Sequence, residues 1–180
     1  MLHILGNDLQ EKEAKEMTLI GINTKKIGED LSIGVGLAVV FIVLNMLSPI
    51  ASIGIPRLPM AAEWEQFGTV VLLAPLAEEV ICRGVALAVF ILIFMAIVKD
   101  KWIAMALAIV VVSIIFSVFH YTAYGGSFTS MSAAFVGAFS FSVLACIIAL
   151  WRKSLVSPII LHSLFNTYLY ISLYKLLTIG

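Results

Sequence analysis

The chain has 180 residues, of which 62% are hydrophobic and only 12% are charged, and its formal net charge is zero. Soluble domains are about 45–50% apolar and about 25% charged, so this composition excludes a soluble globular domain and indicates an integral, multi-pass membrane protein. The bilayer is therefore its expected environment, and the neutral charge gives no indication of a nucleic-acid partner.

The apolar segments predict an all-α, polytopic transmembrane helix bundle of about five to six crossings. Residues 1–30 are polar and mixed in charge, which predicts a solvated or interfacial arm, and residues 31–180 form the transmembrane domain. A crossing takes about 20 helical residues. The runs lack the alternating polarity of transmembrane strands, whose backbone would also be unpaired in lipid. Helices are predicted at 31–50, 68–98, 102–120, 128–150 and 155–175.

The second run is too long for one upright crossing, and Pro75 lies inside it. Proline is best tolerated in the first turn of a helix. One arrangement is a short entering segment followed by a spanning helix from Pro75 to Val98. The other is a single long helix that is tilted and kinked.

The third and fourth runs carry small polar residues at helical spacing. Ser113 and Ser117 share one face of the third run and are predicted to bond their own backbone. The fourth run has a face of small side chains, which allows close helix packing in lipid. Its members are Ser130, Ala134, Ala138, Ser142 and Cys146.

The distribution of basic residues predicts an orientation. With five crossings and a cytoplasmic N-terminus, the outer segments carry only Arg57 and Lys175. The inner segments are much more basic, as the positive-inside rule requires. They carry Lys12, Lys15, Lys25, Lys26, Lys99, Lys101, Arg152 and Lys153.

The stretch "APLAEEVICRG" places Glu78, Glu79 and Arg83 inside an apolar run. Each ionisable group near the bilayer centre costs about 2.5–3.5 kcal/mol on insertion scales, so the three must be paired or hydrated. Glu79 and Arg83 are four residues apart with the acid first, which favours an ion pair. Glu78 lies about 100° round the helix and is left as a candidate general base. The alternative is an ion-paired patch that only packs helices together.

Other polar residues occur in the later runs: His120 ends the third, and His162 and Asn166 share one face of the fifth. A single histidine in a membrane helix usually hydrogen-bonds a neighbouring helix. Polar groups from three helices instead predict a polar cavity within the membrane. Such a cluster could activate water, with Asn as the oxyanion donor, or relay protons in a transporter. It could also bind a metal through Glu and His, although no H-E-x-x-H motif is present to support a metal site. Composition and spacing leave these three open.

Three motifs in order resemble the CPBP family of CAAX proteases and bacteriocin-processing, Abi-type membrane proteins. They are E-E-x-x-x-R at Glu78, Glu79 and Arg83, F-x-x-x-H from Phe116 to His120, and H-x-x-x-N from His162 to Asn166. The match covers about residues 68–170, the motif-bearing core. The resemblance implies an intramembrane glutamate endopeptidase.

The resemblance also implies roles for these residues. Glu78 with His120 would activate water, Glu79 and Arg83 would order the site, and Asn166 with His162 would stabilise the oxyanion. Phe116 is expected to pack one turn below His120. No metal or other cofactor is expected. The implied substrate is a peptide or protein, prenylated at a CAAX end or not, and the alternative is a non-catalytic bacteriocin-immunity or scaffold protein with the same fold.

Overall fold

The computed structural model describes residues 26–47, 67–123 and 128–179, and the side chains of 26–47, 67–120 and 131–172. Every regular element in these ranges is a helix, which confirms the all-α prediction. Each helix begins and ends within about one turn of its predicted run. Most of the predicted N-terminal arm lies outside the described residues. The helices are α1 Ile27–Leu47, α2 Thr69–Val98, α3 Lys101–Ala123, α4 Phe128–Arg152 and α5 Val156–Ile179.

Four of the described helices are long and apolar enough to cross a membrane. They are α1, α2, residues Lys101–His120 of α3 and residues Met131–Arg152 of α4. The chain is therefore an integral membrane protein. α1 begins at Ile27, earlier than predicted, so that Glu29 and Asp30 lie in its first turn, where acidic groups interact favourably with the helix dipole.

α2 is one continuous helix and not a short entering segment followed by a separate spanning helix. Its backbone stays in the right-handed helical region through Leu73 and Ala74 and again through Glu79 and Val80. Two segments are π-helical, Thr69–Leu73 and Val80–Ala86, and they flank the α-helical turn Ala74–Glu79. π-helical turns within α-helices occur frequently at functional sites.

Pro75 lies just after the first π-helical segment and interrupts its hydrogen bonding. The N–H of Ala74 donates to the carbonyl of Thr69, five residues earlier. In the same register the next N–H would donate to the carbonyl of Val70, but residue 75 is proline and has no N–H to give. The Val70 carbonyl is therefore left without a partner inside its own helix.

The helices form two closely packed pairs joined by α2. α1 packs along α5 and α3 packs along α4, while the first part of α2 contacts α5 and its last part contacts α3. Gly34 permits the approach of α1 to α5, because a Cβ atom there would lie 2.8 Å from both Ile160 Cβ and Ser157 O. α2 therefore contacts both pairs, which also meet each other directly between α4 and α5.

An ionic cluster joins α1, α4 and α5 at one end of the bundle. Arg152 donates from Nε to Asp30 Oδ1 at 2.6 Å and from Nη2 to Glu29 Oε2 at 2.8 Å. The Ser157 hydroxyl donates to the Asp30 carbonyl at 2.9 Å. Asp30 is fully buried, and Lys153 adopts a left-handed conformation, φ 51°, in the turn between α4 and α5.

Candidate active site

Glu79 is the most enclosed carboxylate of the predicted site. Its Oε1 atom lies 3.1 Å from Arg83 Nη1 on the same helix, and both side chains are fully buried. The same oxygen lies 2.8 Å from His162 Nδ1 on α5. The structure therefore forms the pair that the four-residue spacing predicts and adds a histidine from another helix to it.

Glu78 points to a different and more accessible position. Its side chain is 38% exposed, but its Oε2 atom is buried and has no hydrogen-bond partner among the described residues. This atom lies 3.9 Å from His120 Nε2 and 3.7 Å from His162 Nε2. Both distances exceed those of direct hydrogen bonds and suit a bridging water. The structure thus brings Glu78, Glu79 and Arg83 of α2 together with His120 of α3 and His162 of α5.

The two histidine rings are oriented by their Nδ1 atoms. His120 Nδ1 lies 2.8 Å from the Phe116 carbonyl, and His162 Nδ1 faces the Glu79 carboxylate. Carbonyl and carboxylate oxygens accept hydrogen bonds, so each Nδ1 carries the proton. In a neutral ring the Nε2 atom is then an acceptor, and both Nε2 atoms are turned toward Glu78.

Asn166 lies one helical turn from His162 but makes a different contact. Its Nδ2 donates to the Val70 carbonyl at 3.0 Å, and this is the carbonyl that Pro75 leaves unpaired. Asn166 therefore completes the hydrogen bonding of α2 from a neighbouring helix, a role that the sequence did not suggest. An amide nitrogen carries two hydrogens, so this contact uses one of its two donors.

Two phenylalanine rings enclose the charged groups. The Arg83 guanidinium carbon lies 4.5 Å from the Phe116 ring centre and 5.9 Å from that of Phe141. Phe116 stacks on His120 with centres 4.2 Å apart, as predicted, and Phe141 lies 4.8 Å from His162. Phe141 belongs to no motif, and in the sequence it is one of several aromatic residues of the fourth run.

Comparison with known proteins bears on the identity of this constellation. The family model described as "Type II CAAX prenyl endopeptidase Rce1-like" matches residues 60–168. The matched range contains every residue of the predicted site. Searches of curated proteins and of solved structures gave no significant match.

Proposed function

The chain belongs to the Rce1-like family of type II CAAX prenyl endopeptidases, and we propose that it is an intramembrane endopeptidase. Its reaction is hydrolysis of a peptide bond near the C-terminus of a protein or peptide, with prenylated CAAX ends as the first substrate class to test. One observation carries the mechanism: the Glu78 carboxylate faces the Nε2 atoms of two histidines at 3.9 and 3.7 Å.

Glu78 and His120 are the groups that activate water in this proposal. A water molecule beside Glu78 Oε2 and His120 Nε2 meets two acceptors, so it donates both of its hydrogens. Its lone pairs are then directed away from both groups and toward a substrate carbonyl carbon. Because the Glu78 side chain is partly exposed while Glu79 is fully buried, we assign the contact with water and substrate to Glu78.

These residues account for each proton transfer in the reaction. Water attacks the carbonyl carbon, its proton passes to Glu78, and the carbonyl oxygen becomes an oxyanion. The carbon–nitrogen bond then breaks as the proton moves from Glu78 to the leaving amine. The second amide hydrogen of Asn166 is the proposed oxyanion donor, and His162 Nε2 joins it only when the ring is an imidazolium.

Glu79 and Arg83 act by position in this scheme. Glu79 holds His162 through Nδ1 at 2.8 Å and Arg83 fixes Glu79 at 3.1 Å. A ring held in this way presents Nε2 toward Glu78. Loss of either group therefore disturbs the position of His162, on the oxyanion side of the site, more than it disturbs the attacking water.

The test is hydrolysis of a quenched-fluorescent peptide with a C-terminal farnesyl-cysteine CAAX sequence by the purified full chain. Separate Glu78→Gln and His120→Ala variants are each expected to lose about 10²–10⁴-fold in kcat/KM, the range for loss of a general acid–base group. Glu29→Gln is the matched control, because Glu29 is an exposed glutamate in the first turn of α1.

Folding of each variant is checked by thermal unfolding in detergent. Cleavage by folded Glu78→Gln at the unmodified rate would overturn the mechanism. A cellular phenotype that survives this substitution, with no cleavage by either protein, would instead support the non-catalytic immunity or scaffold function.

The charge distribution bears on the side from which substrate enters. Lys99 lies between α2 and α3 and Lys101 begins α3, whereas Glu78 lies in the first third of α2 and His120 in the last turn of α3. If the basic connection is cytoplasmic, the site is nearer the outer face, which disfavours cytosolic prenylated proteins as substrates.

Cysteine labelling tests this orientation. If it is correct, single cysteines at positions 100 and 153, in a background without Cys82 and Cys146, would resist an impermeant maleimide added to intact cells. Labelling from outside would reverse this orientation.

A further inference from the structure

A second set of polar side chains is buried between α2, α3 and α4, apart from the groups that face Glu78. Arg83, Ser113 and Ser142 each have zero exposed surface. Within the described part of the chain, Arg83 Nε and Nη2 and both serine hydroxyls lack a hydrogen-bond partner, while Arg83 Nη1 is ion-paired with Glu79. Buried polar atoms in proteins are nearly always hydrogen-bonded, so these atoms indicate a bound ligand.

The neighbours of Arg83 on α3 and α4 support a shared layer for the three residues. The Arg83 guanidinium lies against Phe116 of α3 and Phe141 of α4. Ser113 precedes Phe116 by about one turn, and Ser142 precedes Cys146, which lies beside Arg83, by one turn of the same helix. We therefore infer that the ligand lies where these three helices meet.

The buried serines of α3 differ in a way that singles out this layer. The Ser117 hydroxyl donates to the carbonyl of Ser113 at 2.6 Å, which is the usual bond of a serine inside a helix. Ser113 was predicted to bond its own backbone in the same way, and in the structure its hydroxyl has no such partner. Burial alone therefore does not explain the unpaired hydroxyl.

The chemistry of these atoms identifies the ligand class. The guanidinium only donates hydrogen bonds, whereas a hydroxyl both donates and accepts. The positive charge is already paired with Glu79, so an anion has no charge to neutralise. A small neutral molecule that donates and accepts is required, and we propose that Arg83, Ser113 and Ser142 hold a cluster of internal water.

This cluster borders on the candidate active site through Glu79, whose Oε2 atom is also buried and unpaired among the described residues. If the chain hydrolyses peptides as proposed above, each turnover consumes one water inside the membrane, where water is scarce. The cluster is then a local supply that refills the position beside Glu78. The presence of the water does not depend on that function, although its use does.

Hydroxyl-radical footprinting with mass spectrometry tests the cluster without any substrate. Cys146 lies beside Arg83 and has zero exposed surface, so rapid oxidation of its thiol requires water inside the protein. We expect rapid oxidation in the full chain in nanodiscs and loss of most of it in the Ser113→Ala, Ser142→Ala double variant. Ser117→Ala is the matched control and is expected to leave the rate unchanged. An unlabelled Cys146, or an equal rate in the double variant, would overturn the proposal.

Thermal unfolding gives a second test, because a dry layer and a hydrated layer predict changes of opposite sign in the melting temperature. In a dry layer, replacing Ser113 and Ser142 by alanine removes unpaired hydroxyls and raises the melting temperature. In a hydrated layer the same change removes bonds to water and lowers it, which is the expected result. If the double variant fails to fold, labelling of Cys146 in the unmodified chain decides alone.

These readouts separate the water cluster from the proposed peptidase. Absence of peptide cleavage leaves labelling and melting interpretable. If cleavage occurs, the double variant is expected to lower kcat about three- to tenfold with KM unchanged, the equivalent of about one hydrogen bond. A rise in KM alone would show that the serines act on substrate binding and not on water.

Discussion

The hydrogen bond from Asn166 to Val70 leads to a prediction about stability. It spans 3.0 Å between α5 and the carbonyl that Pro75 leaves without a donor. Replacing Asn166 by alanine leaves this carbonyl unpaired in an apolar environment, where an orphaned polar group costs about 1–3 kcal/mol. Interhelical hydrogen bonds measured in membranes average about 0.6 kcal/mol and reach about 1.7. Because Asn166 is half-buried, we expect a loss of about 1 kcal/mol in unfolding free energy.

Pro75→Ala is the second arm of a double-mutant cycle. Alanine at position 75 restores an N–H that can donate to the Val70 carbonyl, so Asn166→Ala should cost much less in this background. The cycle removes the general effects of the proline change and isolates the coupling energy between Pro75 and Asn166. We expect this energy to be about 1 kcal/mol, with Asn166→Ala costing more when Pro75 is present. Reversible unfolding in mixed SDS micelles measures all four proteins.

The control for this cycle is Thr167→Ala. The Thr167 hydroxyl bonds the Ser163 carbonyl of its own helix, so its replacement should cost the same with either residue at position 75. Equal costs of Asn166→Ala in the two backgrounds would refute the link between the proline and the asparagine. A cost near zero with Pro75 present would show that the carbonyl finds another donor.

Three further predictions follow from burial and close packing. Glu79→Gln leaves a buried guanidinium without its counter-ion and should lower the unfolding free energy by about 3 kcal/mol. Glu78→Gln, at a partly exposed carboxylate, should change the unfolding free energy by less than about 1 kcal/mol. Equal losses would contradict the assignment of the buried pair. Gly34→Ala forces α1 away from α5 and should lower the unfolding free energy by about 1–3 kcal/mol. A Cβ atom at Gly36 meets no atom within 4 Å, so Gly36→Ala should be neutral or slightly stabilising. Similar effects of the two changes would refute the close contact at Gly34. Asp30→Asn should lower the melting temperature more than the same change at the exposed glutamate before it, since only the aspartate is fully buried, and a larger effect at the glutamate would count against the ionic cluster.

The helices and the Glu79–Arg83 pair were predictable because both follow from local geometry. An apolar run of sufficient length must be helical in lipid, and residues four apart share one face of any helix. The accessible position of Glu78 follows from the same geometry, since it lies about 100° from its neighbour.

The contacts between helices were not predictable from spacing. His162 pairs with Glu79 across 83 residues and Asn166 bonds Val70 across 96 residues, and no local pattern specifies either partner. The π-helical register was also missed, although Pro75 indicated a distortion, because the bond that completes it comes from α5. Phe141 carried no signal, since its place beside His162 and Arg83 depends on how α4 packs.

The ionic cluster of α1 and α4 also has a consequence for biosynthesis. Asp30 and Arg152 are 122 residues apart, so at about 5–20 residues per second the ribosome needs about 6–25 s to supply the partner of this aspartate. During that interval α1 has neither Arg152 nor α5 beside it, and its acidic end must remain in water or bind an insertion chaperone. Crosslinking of stalled nascent chains from position 30 would detect that transient neighbour, and its release should coincide with synthesis of α5. A crosslink that persists unchanged after α5 is complete would show that the cluster does not govern this handover.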